Sequence, residues 1–137
     1  MKSFPLKIVT PDGPQFEGEA EELIVRTISG DMGILAGHID CVTALGMGRA
    51  TVVTSEGKRE AACIGGILSV LDGTVSLVPT TFEWADKIDL GRAEAAEQHA
   101  RRMLEDKRLS NVEVRLAKAR LKRALVRQSV ASARLGR

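Results

Sequence analysis

The fold is decided by the stretch ILSVLDGTVSLV, residues 67–78. Two runs rich in branched aliphatic residues, 67–71 and 74–78, flank the dipeptide Asp72-Gly73. A two-residue turn between antiparallel strands requires positive φ at its centre, and glycine adopts this conformation without steric cost. The stretch therefore predicts a β-hairpin, and it is the clearest hairpin signal in the chain.

The residues before position 80 repeat this alternation of short strands and turns. Segments rich in Val, Ile and Thr are separated by turn residues about every 8 to 12 positions, which is typical of a β-sandwich or barrel. Eleven of the thirteen glycines and all four prolines lie between positions 5 and 79. Further strands are predicted near 4–8, 23–25, 50–54 and 61–64.

A helical pattern follows the strand-rich part. From Arg92 to Ala133 the chain has neither glycine nor proline, and apolar residues recur three or four positions apart, as on one face of a helix. An interruption at 106–111 predicts two helices joined by a short loop. The expected capping residues, whose side-chain oxygens would accept free backbone amides, are Asp86 or Asp89 and Ser110 or Asn111.

Alanine dominates the predicted contact face of both helices. Ala93 and Ala100 lie on the first face, and Ala117, Ala124 and Ala131 recur a heptad apart on the second. Burial contributes only about 0.8 kcal/mol per CH₂-sized unit, so an alanine seam is weaker than one of leucine or isoleucine. We therefore expect a close-packed antiparallel hairpin that can be opened.

Composition excludes several classes of protein. With 137 residues, 44% hydrophobic and 28% charged, the chain is expected to be a soluble protein of one or two small domains. No run approaches the roughly 18 apolar residues of a membrane span, and the N-terminus lacks the apolar core of a signal peptide, so export is not expected. Cys41 and Cys63 stand alone in apolar runs, which favours buried free thiols in a reducing compartment.

Charge is distributed unevenly along the chain, although the net charge is only +2. Residues 1–98 contain eight basic and fifteen acidic side chains, whereas 99–137 contain twelve basic and three acidic ones. This division suggests two modules and an acidic partner for the second. The alternative is a basic helical adapter that binds nucleic acid, although the hairpin lacks aromatic side chains to stack on bases.

No catalytic or metal-binding constellation is predicted. His38 and Asp40 have no serine or cysteine nucleophile beside them, and His38 and His99 belong to different modules, which disfavours both catalysis and a metal site. The chain also lacks a GxxxxGK[ST] phosphate-binding loop. A small enzyme built around His38 is therefore the least favoured class.

One glycine-rich segment, SGDMGILAGH at 29–38, has two interpretations. If Met32, Ile34 and Leu35 are exposed on a loop, they form a docking surface. If the loop folds inward, the same side chains close the end of a barrel. The pattern alone leaves both possibilities open.

Four stretches, in order along the chain, resemble the epsilon subunit of bacterial F-type ATP synthase. They are IVTPDG at 8–13, GDMGILAGH at 30–38, GGILSV at 65–70 and IDLGRA at 88–93. The resemblance implies an α+β fold. An N-terminal β-sandwich of about ten strands is expected over 1–85, followed by a C-terminal antiparallel α-helical hairpin over 86–137.

The resemblance also implies a non-catalytic rotor subunit in the central stalk of a proton-translocating ATP synthase. The hairpin would permit ATP hydrolysis when folded. When extended, it would reach the alpha and beta catalytic subunits and inhibit hydrolysis. The protein would lie at the cytoplasmic face of the cell membrane as a peripheral part of the complex. The sandwich would dock on the gamma subunit and on the membrane c ring, the latter through Asp31, Met32, Ile34, Leu35 and His38.

The stretch at 88–93 is similar to the pattern by which some epsilon subunits bind ATP without hydrolysing it. The resemblance implies ATP, with or without Mg²⁺, as a regulatory ligand of the closed hairpin. The implied ATP contacts are Glu83, Ile88, Asp89, Arg92, Ala93, Arg123 and Arg127.

Two features weigh against this nucleotide site. The alternative interpretation is that Asp89 only caps the helix and that Arg92 pairs with Glu94 or Glu97 on a solvated face. His99 also departs from the pattern, which has arginine there. A neutral imidazole offers a triphosphate less than a guanidinium does.

Overall fold

The computed structural model of the protein describes residues 2–134; Met1 and 135–137, the last three residues of the predicted hairpin domain, lie outside this description. Contacts divide the chain into two units, one ending at Trp84 and the other beginning at Ala85. The division expected from the sequence lies one residue later. The first unit contains the strands and the second contains the helices.

Within residues 2–134, the first unit consists of eight strands. They are β1 (Phe4–Thr10), β2 (Gly13–Ala20), β3 (Glu22–Thr27), β4 (Gly30–Ile34), β5 (Cys41–Ala44), β6 (Met47–Thr54), β7 (Gly57–Leu71) and β8 (Thr74–Trp84). Neighbouring strands follow the order β2-β1-β8-β7-β6-β3-β4, and β5 pairs with β7. The pairs are antiparallel except that of β1 with β8, which is parallel.

The two longest strands connect the layers of a sandwich. β7 has 15 residues and β8 has 11, and they pair along most of their length. β6 pairs with residues 57–64 of β7, whereas β5 pairs with residues 67–70. Gly65 and Gly66 separate these halves, with φ of +67° and +101°. β7 thus contributes to both layers.

The predicted fold class, a β-sandwich followed by a helical hairpin, is confirmed. The structure has eight strands where the resemblance implied about ten, and β7 is one long strand where the sequence suggests two shorter ones, at 61–64 and 67–71. The predicted turn is also confirmed: Asp72 and Gly73 have φ of +49° and +79°, and Leu71 pairs with Thr74.

The core of the sandwich is built by strand alternation. On β1 the side chains of Phe4, Leu6 and Ile8 are buried and those between them are more exposed, as expected for a strand with one face inward. Large aliphatic side chains from the other strands complete the core, among them Leu23, Val25, Ile34, Val52, Leu68 and Leu77.

The second unit begins with a 3₁₀ turn at Ala85–Lys87 and continues as helices α1 (Leu90–Leu104) and α2 (Asn111–Arg134). Asp89, not Asp86, caps α1. Its Oδ1 accepts a hydrogen bond of 3.0 Å from the backbone amide of Arg92.

Ser110 begins α2 with a reciprocal pair of hydrogen bonds. The Glu113 amide donates to Ser110 Oγ, and the Ser110 amide donates to Glu113 Oε1, each at 3.2 Å. This capping box satisfies two backbone donors that the helix leaves free. The start of α2 is therefore defined by local hydrogen bonds.

The predicted alanine seam is confirmed. Ala93, Ala100, Ala117, Ala124 and Ala131 are all buried, with at most 4% of their surface exposed. Such small side chains allow helices to approach closely. Neither helix within residues 2–134 is long and apolar enough to cross a lipid bilayer.

Candidate functional sites

The glycine-rich segment at 29–38 combines both of its predicted interpretations. Half of it is strand β4, in which alternation turns Met32 toward the core and buries Ile34 completely. The expectation that Ile34 is exposed is therefore wrong, because its strand position directs it inward. Leu35 follows the strand and is half exposed. The segment thus contributes Ile34 to the core of the sandwich and exposes Leu35 to solvent.

Polar contacts fix the strand pair beside this segment. Asp31 Oδ1 lies 3.0 Å from Arg26 Nε, and 62% of the Asp31 side chain and 49% of the Arg26 side chain are exposed. A Cβ at Gly48 would lie 2.6 Å from Arg26 Cβ, so only glycine leaves room for Arg26 at that point. His38 Nδ1 donates to the Ile39 carbonyl oxygen at 2.8 Å. Asp31, Met32, Leu35 and His38 all keep some exposed surface, so they remain candidates for contact with a partner.

An exposed apolar row, which sequence reasoning missed, crosses one face of the sheet. It consists of Ile28, Ala44, Ile67 and Val78. The Ile28 amide donates to the Ala44 carbonyl at 3.1 Å, Ala44 pairs with Ile67, and Ile67 pairs with Val78. Exposure is 73% for Ile28, 52% for Ile67 and 50% for Val78. Contiguous exposed apolar side chains mark a surface for interaction with another protein.

The sequence does contain a signal for this row. A strand with one solvated face alternates apolar and polar residues, but Ile67-Leu68 and Leu77-Val78 are adjacent apolar pairs. One member of each pair, Leu68 or Leu77, is buried, and the other faces outward. A strand with apolar residues on both faces is typical of a sheet that is covered on both sides. These adjacent pairs therefore predict that the outer face is also covered, by another protein surface.

The N-terminus of α1 carries four of the predicted nucleotide contacts. Asp89 caps the helix, Ala93 is buried and Ile88 is partly buried. The Arg92 side chain is exposed, and within residues 2–134 it pairs with neither Glu94 nor Glu97. The capping part of the alternative interpretation is therefore confirmed, and its ion pair is not formed.

Polar contacts join the two helices beside this terminus. Gln128 Nε2 lies 2.8 Å from Glu97 Oε1 and 3.5 Å from the Ala93 carbonyl oxygen. Glu97 Oε2 accepts a hydrogen bond of 2.7 Å from Arg101 Nε. Gln128 follows Arg127 in sequence, and Ala93 follows Arg92. The structure thus brings together the segments that carry these two arginines.

The remaining predicted nucleotide contacts lie in two places. Arg123 is on α2, one turn before Arg127, and both side chains are partly exposed. Glu83 belongs to the first unit, where it lies on β8 opposite Ala62. Arg92 and Arg123 form no ion pair with a carboxylate in the described part of the chain, and guanidinium groups bind phosphates through charge-assisted hydrogen bonds. The guanidinium groups of Arg92 and Arg123 therefore suit an anionic ligand.

Hydrogen bonds lower the pKa of two carboxyl groups in the hairpin. The amide of Gln128, and then the guanidinium of Arg101, hold the pKa of Glu97 below its ordinary value. At the loop, the backbone amide of Arg108, and then its side chain, lower the pKa of Asp106. Donors that stabilise the ionised form account for both shifts.

The cysteines differ in environment. Cys63 is buried, and desolvation raises the pKa of its thiol to about 12, so it is a poor nucleophile at neutral pH. Cys41 is only partly buried, although the sequence predicted burial for both. Cys41 lies on β5, the short strand that pairs with β7.

Comparison with known families covers both units. Residues 3–85 match the family described as ATP synthase, Delta/Epsilon chain, beta-sandwich domain. Residues 86–132 match the ATP synthase, Delta/Epsilon chain, long alpha-helix domain. The chain belongs to the ATP synthase delta/epsilon chain family.

Curated relatives agree with this assignment over nearly the full chain. The ATP synthase epsilon chain of an Exiguobacterium species is 40% identical over 131 residues, covering 95% of this chain and 96% of the relative. That of Caldanaerobacter subterraneus is 37% identical over 132 residues, covering 96% and 95%. The resemblance identified from the four sequence stretches is confirmed. Since epsilon chains are non-catalytic subunits, the protein is not an enzyme by itself.

Solved structures share the fold at lower identity. A chain in the OSCP/F1/c-ring structure of Euglena gracilis mitochondrial ATP synthase aligns with a TM-score of 0.79 at 22% identity, covering 96% of this chain and 81% of that one. A chain from the central stalk and c-ring of Tetrahymena thermophila mitochondrial ATP synthase aligns with a TM-score of 0.65 at 12% identity, covering 95% and 97%. Both support the sandwich-and-hairpin architecture.

Proposed function

We propose that the protein is the epsilon-type rotor subunit of a proton-translocating ATP synthase, held peripherally at the cytoplasmic face of the membrane. In this proposal the sandwich couples the gamma subunit to the c ring. Family membership supports the assembly, and the apolar row supports docking on a large protein surface. We assign the row to the gamma subunit, and the end of the sandwich with Asp31, Met32, Leu35 and His38 to the c ring.

Introducing a charge into the apolar row tests the docking assignment. Ile67→Asp changes a half-exposed side chain, so the isolated protein should still fold. The buried charge should weaken assembly strongly, because an unpaired carboxylate in an interface is costly to desolvate. Ser55→Asp, in the exposed turn between β6 and β7, is the matched control. Equal retention of both variants in the purified complex would contradict the assignment.

We further propose that the closed hairpin binds ATP and that binding regulates ATP hydrolysis. The observation that carries this proposal is the contact of Gln128 with Ala93 and Glu97, since it sets Arg92 and Arg127 on adjoining segments. A ligand that contacts both helices stabilises the closed state by its differential affinity for the two states. An extended hairpin would instead reach the alpha and beta subunits, and its basic charge suits an acidic surface there.

Calorimetric titration of ATP into the full chain, with and without Mg²⁺, tests the nucleotide site. Loss of a charged hydrogen bond is worth about 1.5–3 kcal/mol, so Arg92→Ala should weaken binding by roughly 10- to 150-fold. Arg102→Ala removes an exposed arginine from the last turn of the same helix and should leave affinity unchanged. Equal affinities for the two variants, or no binding by the unaltered chain, would reject the site.

A nucleic-acid adapter is the second candidate, favoured by exposed basic residues on α2 such as Arg115, Lys118 and Lys122. Binding of this kind depends steeply on salt, because phosphate contacts release counterions. A mobility-shift titration of duplex DNA at two salt concentrations distinguishes the candidates. Salt-sensitive binding that is lost with the triple substitution of these residues by glutamine would favour the adapter.

A further inference from the structure

The hairpin is held together by two unlike sets of contacts. Alanine forms most of its seam, and burying an alanine contributes little free energy. The other set is a cluster of hydrogen bonds that we call the clasp: Glu97, Arg101 and Gln128. Glu97 accepts across the seam from Gln128 at 2.8 Å and along its own helix from Arg101 at 2.7 Å.

The clasp carboxylate is shielded and has partners on both oxygens. Only 16% of the Glu97 side chain is exposed, against 50% for Arg101. Oε1 is used by Gln128 and Oε2 by Arg101. Hydrogen bonds to an ionised acceptor are shorter and stronger than those between neutral groups. Arg101 thereby holds the carboxylate in the orientation that meets the opposite helix.

The clasp lies away from the loop that joins the helices. Gln128 also approaches the Ala93 carbonyl at 3.5 Å, so its amide spans two successive turns of α1. Nearer the loop, Arg120 Nη1 lies 3.9 Å from Met103 Sδ, and a thioether is a weak acceptor. The loop itself keeps that end of the hairpin closed, so separation must begin at the end where the clasp lies.

We propose that the clasp sets how readily the hairpin opens and fixes the register in which it closes, without any bound nucleotide. Alanine side chains are nearly uniform in shape and do not select one register strongly. A directional hydrogen bond from Gln128 to Glu97 does select one. The clasp therefore sets the closed-to-open equilibrium that any ligand or partner of the hairpin must shift.

Hydrogen exchange of the full chain without nucleotide tests this proposal. An isolated helix of about 12–15 residues is marginal in water, so separation of the helices exposes the amides of α1 to exchange. Gln128→Ala removes the donor across the seam and should speed exchange in α1 by about 3- to 10-fold. Gln98→Ala, an exposed glutamine on α1, is the matched control and should leave the rate unchanged.

A charge exchange separates the specific contact from general destabilisation. Gln128→Glu sets a second carboxylate against Glu97 and should speed exchange more than Gln128→Ala does. Adding Glu97→Gln to Gln128→Glu restores one donor and one acceptor across the seam and should slow exchange again. The proposal is overturned if Gln128→Ala behaves like Gln98→Ala, or if the double variant exchanges as fast as Gln128→Glu alone.

These outcomes are independent of the nucleotide proposal. A chain that binds no ATP but shows the expected exchange rates would reject the ATP site and support the clasp. If the unaltered chain binds ATP but Gln128→Ala exchanges at the same rate as the unaltered chain, the ATP site is supported and the clasp is rejected.

Discussion

The sandwich and the hairpin bury their residues in different ways. Fully buried side chains of the sandwich are large, as at Leu6, Leu23 and Leu77, whereas the helix seam is lined by residues such as Ala100 and Ala117. Truncating a buried leucine to alanine typically costs about 2–5 kcal/mol of stability. A buried alanine contributes only its single methyl group to the seam. The sandwich also depends on pairings between strands distant in sequence, while the hairpin contacts are local. One chain therefore combines a firmly packed body with an element that separates at low cost.

The largest effect is expected where the two layers of the sandwich share a strand. Gly66 has φ of +101°, and a Cβ there would lie 2.1 Å from the Val78 carbonyl oxygen. Gly66→Ala adds both backbone strain and a clash that flexible side chains cannot relieve. We expect the free energy of unfolding to fall by about 4 kcal/mol or more, measured by urea denaturation.

Gly33→Ala is the matched control for this glycine substitution. Gly33 also lies on a strand, but its φ is outside the left-handed region and a Cβ would meet nothing within 4 Å. The free energy of unfolding of the Gly33→Ala variant should differ from that of the unaltered protein by no more than about 0.5 kcal/mol. Similar midpoints for the two variants would show that Gly66 does not hold the layers together.

A smaller effect is expected from overfilling the hairpin seam. Ala124 is buried between the helices, and Ala124→Leu should destabilise the closed hairpin by about 1–3 kcal/mol because the helices must move apart. Ala95 is exposed on α1, so Ala95→Leu should have little effect. Hydrogen exchange of α1 and of β7 measures both units at once. Faster exchange in β7 would contradict the view that the hairpin opens by itself.

Much of this architecture was predictable because its causes are local. The turn at Asp72-Gly73 needs residues that tolerate positive φ, and the alanine face needs only helical spacing. The sequence could not show that β7 runs unbroken through Gly65-Gly66, because two adjacent glycines equally favour a turn. Only pairing with β8 along both halves selects the strand.

The candidate sites were predictable only in part. The resemblance supplied Asp89 and Arg92 as nucleotide contacts, and only the capping role that the sequence also predicted for Asp89 is confirmed. Burial of Ile34 follows from strand alternation on β4. The sequence did not indicate this strand clearly, because the glycines around Ile34 are more typical of a loop. The contact of Glu97 with Gln128 depends on the register between two helices. No pattern within one helix specifies that register.

Removing the cap of α1 is expected to have an effect of about 1 kcal/mol. Asp89 accepts a hydrogen bond from the Arg92 amide, and replacing an N-cap residue by alanine costs about 0.5–2 kcal/mol. Asp89→Ala should speed exchange at the start of α1 and leave the sandwich unchanged. Asp86→Ala, in the preceding 3₁₀ turn, should have no such effect. Equal exchange in both variants would assign the cap to another residue.

The smallest expected effect is the dependence of the stability of the closed hairpin on pH. Hydrogen bonds from Gln128 and Arg101 lower the pKa of Glu97 from its ordinary value of 4.5, so the folded state favours the ionised form more than the unfolded state does. This stabilisation is fully present above pH 4.5 and is lost as pH falls through the folded-state pKa. The effect is small because solvent screens the half-exposed Arg101. Helical circular dichroism should decline on acidification less steeply in Glu97→Gln than in Glu94→Gln, whose carboxylate is exposed. Identical acid profiles for these two variants would mean that Glu97 contributes no more to closing the hairpin than a solvated carboxylate.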